Sequence, residues 1–164
     1  MAVDFIKLND IVDEITTYLR DTAGVGAAIE TFCQANYSST ITVFDQPDAT
    51  DPPGETDAPY VSIYRNGLSM GEEVATWRYE LELEIGVNDP SVDNNTANVY
   101  KQTGIRNLEE LSYIIYDVVR TNIPCNANIT EAELDLDETN HPLYLGYLKV
   151  IISVPQVIGS VIGL

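Results

Sequence analysis

Apolar side chains recur along the chain with two different periods, and each change of period marks an element. Ile11, Ile15, Tyr18 and Leu19 fall at helical spacing, so residues 9–20 are expected to form an amphipathic helix. Asn9 or Asp10 can cap it. Asp10, Asp13 and Glu14 in its first turn and Arg20 at its end complement the helix dipole. Gly24 and Gly26 follow, and a short helical continuation from Ala27 to Cys33 is consistent with the pattern. Thr40 to Phe44 then reads as a short β-branched strand.

Residues 45–58 break the pattern. With Pro59 they carry four prolines, no aliphatic residue larger than Ala, and the acids Asp45, Asp48, Asp51, Glu55 and Asp57. Such a segment buries little, so a long mobile loop is expected, with its acids as a candidate partner-binding set. Tyr60, Val61, Ile63 and Tyr64 start a strand, and Asn66-Gly67 has the composition of a hairpin turn that would close it.

The clearest signal lies between Trp77 and Val87. Every odd position is apolar (Trp77, Tyr79, Leu81, Leu83, Ile85, Val87), while the even positions are Arg78, Glu80, Glu82, Glu84 and Gly86. That is a strand buried on one face. At about 3.3 Å per residue it would reach about 36 Å, long enough to overrun an ordinary sheet. Residues 88–95, with Asp89-Pro90, read as a polar loop. A long helix is expected over 96–122, with Val99, Ile105, Leu108, Leu111, Ile114, Ile115, Val118 and Val119 inward and Pro124 as its stop. Gly104 should weaken its first half by about 1 kcal/mol relative to Ala.

After it, Ala132, Leu134 and Leu136 alternate with Glu131, Glu133, Asp135 and Asp137. Thr139-Asn140-His141-Pro142 then turns the chain into a last strand from about Tyr144 to Val154, which makes an antiparallel hairpin. The order is helix, strands, long helix, two strands. That is an α+β fold, a mostly antiparallel sheet with an N-terminal helix and one long helix packed on one face. The 164 residues show no repeat and no linker, so residues 1–164 are read as one domain.

Charge narrows the function. Asp and Glu number 26 against 8 Lys and Arg, a formal net charge of -18. Nowhere do three bases fall together, so binding nucleic acid by phosphate neutralisation is not expected. With 45% hydrophobic residues the chain is too apolar for a disordered acidic tail. The amino-terminal residues lack the basic start and apolar run of a signal peptide. The uncharged run from Val150 to Leu164 is shorter than the ~20 residues of a spanning helix, so no membrane association is expected. Cys33 and Cys125 have no zinc or CxxC spacing and read as reduced structural thiols.

Candidates for chemistry are few. His141 precedes a proline in a turn, with no nucleophile in a recognisable setting. Gly24-Val25-Gly26 follows a helix rather than a strand and lacks the third glycine of a dinucleotide loop. Asp45, Asp48 and Asp51 recur every third residue, unlike the alternate ligands of a calcium loop. Neither catalysis, nor a metal, nor a cofactor is expected. Two features bear on assembly instead. Glu80, Glu82 and Glu84 form a like-charged row, readable as a solvated face or as one facing a basic partner or an aqueous lumen. In the carboxyl-terminal tail, Val157, Ile158, Val161, Ile162 and Leu164 carry no charge among them, so the tail is expected either to pack on its own sheet or to dock on another subunit. Together with the overlong strand it favours an oligomer, with these residues as candidates for subunit packing.

The leading helix Ile11-Val12-Asp13-Glu14-Ile15, the Pro-rich loop running into Pro59-Tyr60-Val61-Ser62-Ile63, the strand Trp77-Arg78-Tyr79-Glu80-Leu81-Glu82-Leu83 and the later Leu108-Glu109-Glu110-Leu111 appear in an order and at lengths that resemble the tail terminator, or tail completion, proteins of long-tailed bacteriophages and prophages. The resemblance covers nearly the whole chain but carries no residue-level motif. It implies an α+β virion subunit that forms a hexameric ring with copies of itself, caps the tail tube protein and meets a head-completion protein. It also implies a place in the virion tail, and in the host cytoplasm during assembly. DNA would at most pass through the lumen. The alternatives are another head-tail or baseplate component, a small acidic metal-binding or hydrolytic protein, and a salt-adapted source as the origin of the acidity.

Overall fold

The computed structural model describes residues 7–70, 76–91, 93–96, 99–123, 127–137 and 141–155. Helix α1 spans Leu8–Arg20 and buries Ile11, Val12, Ile15 and Leu19, the stripe set by helical spacing. Its first turn is closed from Asp10, whose Oδ2 accepts the Lys7 N–H at 2.9 Å. Asp10 therefore serves three residues inside the helix rather than at its cap. The chain turns at Gly24 and Gly26 into α2, Ala27–Tyr37, which runs one turn beyond Cys33 and buries Ile29 and Cys33.

Five strands make the main sheet: β1 Thr42–Asp45, β2 Tyr60–Met70, β3 Thr76–Asn88, β6 Asn128–Asp137 and β7 Leu143–Pro155, in the order β1-β2-β3-β7-β6. Every pairing is antiparallel except β1 with β2. Parallel neighbours need a crossover of a dozen or more residues, and the Pro-rich segment after β1 supplies it. A small hairpin of β4, Asp93–Thr96, and β5, Val99–Lys101, precedes α3, Thr103–Asn122.

The three helices cover one face. α3 lies across β3, β7 and β6, while α1 packs on α3 and β1, and α2 on α3. Between them and the sheet lie Leu81, Leu83, Ile85, Leu108, Leu111, Ile115, Tyr144 and Ile152, all 1% exposed or less. Each such side chain contributes about 1.5–3 kcal/mol by leaving water. The α+β architecture is thus the one that the periods imply.

Three expectations are corrected. Asn66-Gly67 is not a turn. β2 continues through it to Met70, with a register shift between Arg65 and Gly67 that leaves Asn66 as an extra residue. A bulge absorbs the pair because β3 is long enough to go on pairing beyond it. Nor does β3 overrun its sheet, for β7 pairs with it over its full length, from Thr76↔Pro155 to Asn88↔Leu143. Finally, the long helix starts at Thr103 rather than near 96, because residues 93–101 form the β4–β5 hairpin and Val99 belongs to a strand.

Candidate functional site

Among the described residues no α-helix lies against the face of the sheet turned away from α1, α2 and α3. Pairing registers assign to it Arg78, Glu80, Glu82 and Glu84 of β3, Tyr60, Ser62 and Tyr64 of β2, and Tyr147, Lys149 and Ile151 of β7. Glu131, Glu133, Asp135 and Asp137 of β6 complete it. Seven carboxylates share this face with two cations. Arg78 reaches Glu131 at 3.5 Å and Lys149 reaches Asp135 at 3.3 Å, both pairs largely exposed. Such pairs add little stability, so the face keeps most of its negative charge.

Within the row the three glutamates differ. Glu80 is exposed, and Glu82 and Glu84 are half-buried. Glu84 lies opposite Ser62 and Tyr147 in the register, and Tyr60 donates to its Oε1 at 2.9 Å. Burial, reinforced by Glu82, holds the Glu84 carboxyl above its ordinary range although the Tyr60 hydrogen bond opposes the shift. Burial first, then the charge of Glu84, raises the Tyr60, Tyr64 and Tyr147 hydroxyls as well. The sequence singled out the glutamates but not these tyrosines. Tyr60, Ser62 and Tyr64 alternate, which was a usable signal, yet only the β2–β3 register shows that they meet Glu84.

Tyr60 points to this face and is nonetheless fully buried. Gly86 lies beneath its ring, where any Cβ would collide with it, and Phe44 meets it edge-on with ring centroids 6.0 Å apart. The crossover loop closes this end of the face. A single 3-10 turn, Glu55–Asp57, packs on β3, and Asn88 donates to the Glu55 carbonyl at 3.4 Å.

The acids of the loop have local uses. Asp45 makes a two-point pair with Arg65, at 2.5 and 3.2 Å. Asp48 accepts from the Thr50 N–H and hydroxyl, and those bonds lower its pKa. Asp57 accepts the Gly54 N–H at 2.9 Å. Asp51 donates its own N–H to the Asp48 carbonyl. The loop acids do not converge with Glu80, Glu82 and Glu84 into one site. Val157, Ile158, Val161, Ile162 and Leu164 lie outside the described residues, as does Cys125.

Among the described residues no group of three or more His, Cys, Asp or Glu is placed to hold a metal ion. His141 stacks edge-on against Tyr144, at 5.8 Å. Cys33 is buried, and burial pushes its thiol up to about 12, which makes it a poor nucleophile. No helix among the described residues is long and apolar enough to cross a membrane.

No protein-family model matches the sequence, and no curated protein matches it. Among solved structures, a chain of "Virion of native gene transfer agent (GTA) particle" superposes with a TM-score of 0.51 at 13% identity, covering 88% of this chain and 93% of that one. The likeness is one of fold, and it extends over nearly the whole of both chains.

Proposed function

We propose that the chain is a structural virion protein of the tail-terminator kind, a subunit that assembles into a ring on the end of a tail tube and offers a surface to the head. The observation that carries this reading is the fold shared with a chain of a gene transfer agent virion over 88% of the present sequence. The order and lengths of the elements, which resemble tail terminators, point the same way. A role in assembly rather than catalysis also suits a protein whose Cys33 is buried with a raised thiol pKa and whose His141 is exposed and meets the ring of Tyr144.

The acidic sheet face gives the ring a physical rationale. Turned toward a lumen, Glu80, Glu82 and Glu84 would repel DNA, which carries one negative charge per about 1.7 Å, and let it slide without sticking. Negative-stain microscopy of the purified full chain, alone and after addition of assembled tail tubes, tests the reading. Rings with a central hole, free or seated on tube ends, are the expected result. Compact single particles in both preparations would overturn it. Binding to head or baseplate components with none to tubes would reassign the protein within the virion.

A further inference from the structure

β6 is an edge strand. It pairs with β7 along one side, and among the described residues no strand pairs with the other. Such an edge presents a row of N–H and C=O groups that another extended segment can take up.

The two sides of this edge differ in chemistry. On the helix side Tyr113 and Tyr116 of α3 and Leu134 of β6 border an open groove of about 380 Å³. Tyr113 is 58% exposed, one of few large hydrophobic side chains left so open among the described residues. On the other side Glu131, Glu133 and Asp135 stand at alternate positions, all exposed. A second copy of β6 fits poorly, since its acids would come to lie beside these. The β6–β7 register shifts between Ile129 and Glu131, so the regular edge starts at Glu131.

From these features we propose that the β6 edge takes up an extended segment of a partner protein in which basic side chains alternate with apolar ones. The basic set lies along Glu131, Glu133 and Asp135. The apolar set enters the groove beside Tyr113 and Tyr116. Backbone hydrogen bonds to β6 hold the segment, and the alternation fixes its register. This pairing holds whether or not the chain forms rings.

The test uses the full chain and a blocked peptide of alternating Lys and Val, Lys-Val-Lys-Val-Lys-Val-Lys, followed by fluorescence anisotropy. Two isomers of the triply N-methylated peptide are compared, one methylated on three of the lysines and the other on the three valines. In an extended strand only one of these sets of amides faces β6. The parent peptide and one isomer are expected to bind alike, and the other isomer to bind at least about tenfold more weakly, the scale of one lost backbone contact. A chain carrying Glu131→Lys, Glu133→Lys and Asp135→Lys, with its fold checked by circular dichroism, should release the Lys-Val peptide and bind its Glu-Val counterpart. Equal binding of both methylated isomers would reduce the effect to charge attraction and overturn the proposal. So would no binding of the parent peptide, or a chain that dimerises by itself with the β6 amides protected from exchange.

Discussion

Tyr60 and Glu84 are joined by a hydrogen bond of 2.9 Å across β2 and β3, on the sheet face turned away from α1, α2 and α3. The bond sets a buried phenol against a carboxylate whose pKa is raised chiefly by its own burial. A carboxyl with a native pKa above its unfolded value favours folding while it is protonated. That advantage is lost as pH rises through the ordinary carboxyl range toward the raised native value, and the cost is complete above it. Glu84→Gln keeps an acceptor for Tyr60 and removes the charge. It should therefore raise the melting temperature at pH 7 by about 2 °C, which corresponds to somewhat under 1 kcal/mol at this size. The gain should vanish below the ordinary carboxyl range. Thermal melts of both proteins from pH 3 to 8 check this, and an advantage independent of pH would reject it.

Gly104 looks like a weak point of α3 until its surroundings are considered. In an exposed helix Ala would gain about 1 kcal/mol over Gly. Here a Cβ at Gly104 would collide with the fully buried ring of Tyr144. The steric term wins, and Gly104→Ala should destabilise by about 1–3 kcal/mol. Pairing it with Tyr144→Leu should recover part of the loss. Urea denaturation of the two single variants and the double variant gives the coupling, and a stabilised Gly104→Ala protein would refute the account.

Arg65 ties three elements together. Its Nε donates to Asn9 of α1 at 3.0 Å while its two terminal nitrogens hold Asp45 of β1. Lysine cannot reproduce that fork. Because the Asp45 side chain is 41% exposed, solvent screens part of the attraction. Arg65→Lys is expected to cost about 1 kcal/mol, and Arg65→Ala little more. A lysine variant with unchanged urea midpoint would show that the two-point geometry contributes nothing.

The uncompensated acids predict a response to salt. Repulsion along Glu80, Glu82 and Glu84 is screened once the Debye length falls to about 8 Å, near 0.15 M. The melting temperature should rise between about 10 mM and 0.15 M NaCl and then level off, and Glu82→Gln should flatten the slope. A rise that continues to molar salt would instead trace the charge of -18 to adaptation to a saline environment.

Much of this was legible in the residue pattern because the information is local. The odd and even positions of 77–87 assign each side chain of β3 to a face without reference to any neighbour, and the same holds for Ile11, Ile15 and Leu19 on α1. Asn66-Gly67 shows where local reading fails. The pair favours a turn, but the hydrogen bonds that β3 offers beyond it outweigh that preference, and the strand bulges instead. The aromatic setting of Glu84 was likewise hidden, since Tyr60 and Glu84 are 24 residues apart and meet only through pairing.

The sequence by itself determined the α+β class, the buried stripes of α1 and α3 and the acidity of one sheet face, because periodicity and charge act residue by residue. Tertiary structure decided that β1 runs parallel to β2, that β7 pairs with all of β3, and that β6 is left at the edge. It also decided that Gly86 and Gly104 are bare so that Tyr60 and Tyr144 can close over them. Each of those outcomes is a competition between partners distant in the chain, settled by which pairing buries the most apolar surface and leaves the fewest backbone groups unpaired.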